Sequence, residues 1–153
     1  LFDAVKELKE LTAGYDNLFR ATVKLNDCLP PALVLFGRRH AFRLVWRHLI
    51  QNAFQAMAYR GEITLEAETQ GREARFRIID TGKGIEPQNL TRIFLPFYTT
   101  LPDGEGSGMG LYLIKIILNQ HKAAIDVQSQ PGCTCFQVSW PLPAHDGDNR
   151  RRP

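Results

Sequence analysis

Sulfur, long apolar runs and concentrated charge of one sign are all scarce in this chain, and each shortage removes a class of function. Three cysteines, Cys28, Cys133 and Cys135, are odd in number and too few for a disulfide framework. The Cys133-Thr134-Cys135 spacing in an alternating strand puts two thiols on one face without the ligand complement of a zinc site. The cysteines therefore read as reduced and structural, which points to a cytoplasmic compartment. No apolar run approaches the roughly 18 residues of a membrane helix, and residues 1–11 are too charged for a signal peptide. The chain opens at Leu1 without Met, so it is expected to be a piece of a longer protein whose membrane anchor, if it has one, lies elsewhere. The formal charge is +3, and three cations stand together as Arg150-Arg151-Arg152 beside Asp146 and Asp148. The body lacks the basic field of a nucleic-acid binder, so no DNA or RNA partner is expected.

What is present suits one folded domain: 153 residues, 44% hydrophobic and 23% charged. Phe2, Val5, Leu8 and Leu11 recur at helical spacing and predict a short amphipathic helix ending near Gly14, the end of an upstream helix or linker over 1–18. Residues 19–25 and 32–36 read as strands, parted by Pro30-Pro31 and expected to lie side by side. Over 39–57, Phe42, Val45, Trp46, Leu49, Ile50, Ala53 and Met57 mark one helical face, with His48, Gln51, Asn52 and Gln55 as a polar stripe opposite. Alternation over 62–68 and 74–78 about Gly71 predicts an antiparallel hairpin with one open face. A second helix is predicted at 111–118, and strands at 125–129 and 136–140. The stretch 82–106, with Pro87, Pro96 and Pro102, has the length of a functional lid. Residues from 141 onward read as disordered, leaving a domain of 19–142 and a tail of 143–153.

Three segments suit three parts of one ligand. Asp80 ends a strand, where a carboxylate accepts a hydrogen bond from the exocyclic amine of adenine; guanine would present an oxygen there instead. Gly82 and Gly84 follow at a spacing suited to a turn with positive φ and close approach to a planar ring. Gly106, Gly108 and Gly110 precede a helix, whose N-terminal amides and dipole favour phosphate oxygens. Asn52 offers a neutral oxygen to Mg²⁺, with His48 and Gln55 one turn to either side. The glycine spacing matches neither the dinucleotide fingerprint nor the Walker loop. Each segment alone has an ordinary structural explanation: an Asp-Gly turn, a glycine-rich helix start, a solvated helix face. Their order in one chain makes Mg-ATP the expected ligand.

The runs His48-Leu49-Ile50-Gln51-Asn52-Ala53, Asp80-Thr81-Gly82-Lys83-Gly84-Ile85, Ile93-Phe94-Leu95-Pro96-Phe97-Tyr98-Thr99-Thr100 and Gly106-Ser107-Gly108-Met109-Gly110-Leu111 resemble the N, first glycine, F and second glycine boxes of sensor histidine kinases, in order and spacing. Nitrogen-regulator-type kinases look most similar. The resemblance implies the α+β Bergerat fold, a two-layer sandwich in which a mixed, mostly antiparallel sheet is covered on one face by helices. It implies that Asn52 holds magnesium, that Asp80 takes adenine, and that Gly82, Gly84, Ile85, Thr99, Thr100, Gly106, Ser107, Gly108, Met109, Gly110 and Leu111 line the nucleotide, with Thr99-Thr100 hinging a lid. His48 is the candidate catalytic residue and Gln55 a further nucleotide contact. The implied partners are the dimerisation and phosphoacceptor helices of a homodimeric parent protein, and a response regulator.

The chain departs from the family pattern at His48, Gln55, Leu95 and Leu101, and carries no Lys or Arg between Arg92 and Lys115. Those departures leave two other functions open, a nucleotide-sensing module without catalysis and an ATPase using His48 as base. The acceptor histidine of a kinase is expected outside the chain, since His40, His48 and His121 lack a following acidic residue and His145-Asp146 falls in the tail.

Overall fold

The computed structural model describes residues 1–99, 108 and 110–143. Its elements run β1 (Phe2–Asp3), α1 (Ala4–Phe19), β2 (Val23–Cys28), β3 (Val34–Leu35), α2 (Arg39–Ala56), β4 (Gly61–Gln70), β5 (Glu73–Asp80), a 3-10 turn (Pro87–Asn89), α3 (Gly110–Gln120), β6 (Ala124–Gln130) and β7 (Cys133–Pro141). Five strands form one sheet in the order β2-β4-β5-β7-β6, with β2 and β4 parallel and the other neighbours antiparallel. This is the α+β architecture expected from the sequence.

Alternation decides which face of the sheet the helices cover. Ala74, Phe76 and Ile78 of β5 and Phe136, Val138 and Trp140 of β7 are buried, whereas Arg75 and Arg77 between them lie on the open face. The helices answer with Val45, Trp46, Leu49 and Ile50 of α2 and Ile114 and Leu118 of α3. At the centre, the Phe42 ring meets Phe76 edge-on at 5.6 Å and Trp140 at 5.8 Å. Edge-to-face pairs of this kind add about 0.5–1.5 kcal/mol each beyond simple burial.

Three expectations for the first third of the chain are corrected. The first helix does not stop near Gly14 but continues to Phe19, whose ring packs on Phe54 and Tyr59 at 5.2 and 5.0 Å. Tertiary aromatic contact there outweighs the helix cost of one glycine. The predicted strand at 19–25 accordingly begins only at Val23. The strands of 19–25 and 32–36 are not neighbours either: β2 pairs with β4, while β3 pairs with β1. The cause is Asp3, whose Oδ1 caps α1 at Val5 N (3.0 Å) and also accepts from Leu33 N (3.2 Å), drawing that segment to the start of the chain. At the other end Pro141 closes β7 opposite Glu73, and Leu142 N donates to Arg72 O, so order extends past the start of the expected tail. The remainder of that tail, 144–153, lies outside the described residues.

Helix α1 also enters the core, through Ala4, Val5, Leu8 and Leu11. Its Glu7 is buried and pairs with Arg43 of α2, which also holds Glu10 at 3.0 Å; Arg39 approaches Glu7 at 3.8 Å. The ion pair sits one turn upstream of His48 on α2.

Candidate nucleotide site

Asp80 extends the inward row of Ala74, Phe76 and Ile78, so a carboxylate stands where the strand pattern calls for an apolar residue, and only 3% of it is exposed. Burial raises its pKa above the ordinary carboxylate value, opposed in part by the Gly82 amide, which donates to Oδ1 at 2.8 Å. Among the described residues the Gly82 amide is the donor that reaches this carboxylate. A buried acid with one satisfied oxygen at the end of a strand is suited to receiving a donor from a ligand.

The turn after Asp80 is packed from two sides. A Cβ on Gly82 would stand 2.7 Å from the Ala56 carbonyl and 2.7 Å from Asp80 Oδ1, and Ala56 O accepts from Lys83 N at 3.1 Å. Gly82 therefore serves close approach; the positive φ expected at both glycines is found at Gly84 alone, at 80°. Gly84 rests against the β6–β7 turn, where a Cβ would come within 2.7 Å of Gln130 O, and Gly132 N donates to Gly82 O at 2.9 Å. Ile85 is anchored there too, its amide donating to Ser129 Oγ at 2.8 Å.

On α2, the buried apolar face forces His48, Asn52 and Gln55 onto the opposite side, where all three are half-buried. Helix α3 arrives beside them: a Cβ on Gly110 would lie 3.3 Å from His48 Nδ1, so the start of α3 abuts the stripe that carries Asn52. Burial and the Arg47 cation lower the His48 pKa, keeping the ring neutral at pH 7. Leu111 packs half-buried on the core behind Gly110.

Gly108 has φ 68°, and a Cβ there would overlap the backbone carbonyl of Phe97, which itself has φ 65°. The second glycine segment and the Phe97 segment are thus in direct backbone contact. Upstream of it, Lys115 of α3 places Nζ 5.1 Å from the centre of the Phe94 ring. Thr99 is exposed, and Thr100, Gly106, Ser107 and Met109 lie outside the described residues.

Sequence reasoning missed Thr134. It is 3% exposed, directly opposite Asp80 in the β5–β7 register, and shares a 2.6 Å hydrogen bond with Ser129. A polar residue breaking an inward apolar row was the available signal, the same one that marks Asp80. Thr81 was also passed over; its hydroxyl accepts from Glu62 N at 3.0 Å and tethers the turn to β4.

A helix-covered mixed sheet with a buried acid and a glycine turn at the end of its central strand, and a helix N-terminus on the helical layer, defines a nucleotide-binding domain of the two-layer α+β class. Comparison with known proteins narrows that class. The profile described as histidine kinase-, DNA gyrase B-, and HSP90-like ATPase matches residues 37–144, and the chain belongs to that family. Among curated relatives, the sensor histidine kinase ZraS of Salmonella typhi is 38% identical over 94 residues, 61% of this chain and 20% of that protein. The chain thus spans about a fifth of the length of such relatives. Among solved structures, a mycobacterial sensor histidine kinase, MprB, superposes with TM-score 0.81 at 20% identity, covering 94% of this chain and 97% of that one. The catalytic domain of histidine kinase ThkA superposes with TM-score 0.81 at 22% identity, covering 92% of each chain. These likenesses establish the fold of a histidine kinase catalytic domain.

Proposed function

We propose that this chain binds Mg-ATP at the Asp80 end of the central strand β5 and transfers the γ-phosphoryl group to a histidine on separate dimerisation helices. The carrying observation is the buried Asp80 carboxylate, held by Gly82 on one oxygen and set among glycines that admit a planar ring. In this reading the adenine amine donates to Asp80. Thr134 and the Thr81-tethered turn shape the base pocket.

Asn52 fits magnesium by chemistry and place: a neutral oxygen donor, half-buried, one turn from His48, whose ring faces the helix start at Gly110. Magnesium bound there would neutralise phosphate charge. The N-terminus of α3 adds its dipole and free amides at Gly110 and Leu111. Neutral His48 beside Gly110 positions the phosphate chain through a hydrogen bond, and Lys83 or Arg92 supplies the cation that residues 93–114 lack. Phosphoryl transfer asks little more of a protein than this positioning and charge neutralisation, because the acceptor imidazole is already nucleophilic near pH 7.

The acceptor helices would come from the parent protein, which in this reading works as a homodimer, with a response regulator receiving the phosphoryl group in the cytoplasm. Among the described residues no helix is long and apolar enough to cross a membrane. Supplying acceptor helices with γ-labelled ATP tests the proposal. Labelled phosphohistidine on those helices supports it; nucleotide binding with no transfer to any cognate helix refutes the kinase reading in favour of a sensing module.

A further inference from the structure

The face of the sheet turned away from the helices carries Cys133 and Cys135. Between them Thr134 points inward and is buried, so both thiols emerge on the open side, half-buried and next-but-one along β7. Their Cα atoms are about 6.6 Å apart at the rise of an extended strand, with parallel Cβ directions. That spacing opposes a disulfide, which needs Cβ atoms within roughly 4.5 Å. It suits a bridge one atom longer, in which an ion joins two sulfurs through two bonds of about 2.3 Å each.

The surroundings select the ion. Among the described residues no group of three His, Cys, Asp or Glu side chains converges, which disfavours zinc and its four ligands. Two thiolates without a third donor suit a soft d10 cation that accepts two-coordination. Joining a monovalent ion to two thiolates leaves one net negative charge. Arg77 stands one row along, diagonal to Cys135; it donates from Nε to Gln137 Oε1 at 2.9 Å and already pairs with Glu66 at 3.4 Å and Glu68 at 3.0 Å, so this flank of the thiols carries charges of both signs. Cys28 lies on β2, three strands and about 14 Å away, out of reach.

We propose that Cys133 and Cys135 form a two-coordinate site for a soft monovalent cation of the cuprous class, on the face opposite the nucleotide crevice. Binding releases both thiol protons and forms two copper–sulfur bonds, with no change of oxidation state. The site does not depend on the nucleotide reading, and its test uses no nucleotide.

The test is anaerobic titration of the full chain with Cu(I) against a chromophoric cuprous chelator, for wild type, Cys28→Ser, Cys133→Ser and Cys135→Ser, with folding followed by circular dichroism. Wild type and Cys28→Ser should take one equivalent with equal affinity. Each of the other two variants should bind at least tenfold more weakly, since even outer contacts of a metal site are worth roughly tenfold to hundredfold. Wild-type affinity in either Cys133→Ser or Cys135→Ser, or loss of the equivalent in Cys28→Ser, overturns the proposal. Should one serine variant misfold, the other decides.

Discussion

The amide of Gly82 donates to Oδ1 of Asp80 at 2.8 Å, two residues upstream, and a Cβ on the same glycine would stand 2.7 Å from the Ala56 carbonyl of α2. One residue thereby orients the buried acid and docks the turn on the helix that bears Asn52. A methyl group has no room there, since both neighbours are backbone or the acid itself. Gly82→Ala should cost about 1–3 kcal/mol of stability, the usual range for an overpacked site. Thermal unfolding measures that loss, and calorimetry should show ATP binding weakened more than tenfold in the fraction that remains folded.

Asp80 gives a pH signature of defined sign. Its folded pKa is raised by burial, so the folded chain takes up this proton at a higher pH than the unfolded chain does. Its contribution to stability therefore grows as pH falls through the raised folded value toward the ordinary carboxylate value of the unfolded chain. Adenine recognition runs the other way, because the protonated acid loses an acceptor. Affinity for ATP should fall across the same acidic window in which this group stabilises the fold. Parallel titrations of affinity and melting temperature, with Asp80→Asn as the flat reference, check both signs.

His48→Ala separates kinase from ATPase chemistry. A neutral imidazole beside Gly110 positions phosphates in a kinase but would, among the described residues, be the base placed to activate water in an ATPase. With acceptor helices present, phosphotransfer should survive in His48→Ala at a reduced rate, within about a hundredfold of wild type, the lower range of a general-base contribution. Single-turnover labelling measures it.

Glu7→Ala should destabilise the chain by about 1–3 kcal/mol, the worth of a hydrogen bond between charged groups, because Arg43 loses its buried partner and keeps, among the described residues, only the exposed Glu10. The same substitution should leave the adenine preference unchanged, since the pair lies between α1 and α2 and away from Asp80. Denaturant unfolding and a competition between ATP and GTP report the two effects.

Much of this was readable from the sequence because period and polarity agree. The Phe42 to Met57 face and the β4–β5 hairpin follow from side-chain alternation, and Asp80 stands out as an acid in an apolar row. The first third was less legible for the opposite reason. Phe19 ends a helix through contacts with Phe54 and Tyr59, and β3 is recruited by a cap at Asp3, both of which join residues about 30 or more apart. Thr134 was hidden likewise, since its place opposite Asp80 depends on β-sheet register across 54 residues of chain. Local pattern cannot report such pairings.

The sharpest measurement is calorimetric titration of ATP, ADP and GTP against wild type and Asp80→Asn, with and without Mg²⁺. The expected result is binding of ATP and ADP with GTP much weaker, and adenine preference reduced by about 10- to 100-fold in the mutant, the worth of one hydrogen bond to a charged group. A wild-type chain that binds GTP as well as ATP, or an Asp80→Asn chain that keeps full adenine preference, would contradict the role assigned to Asp80.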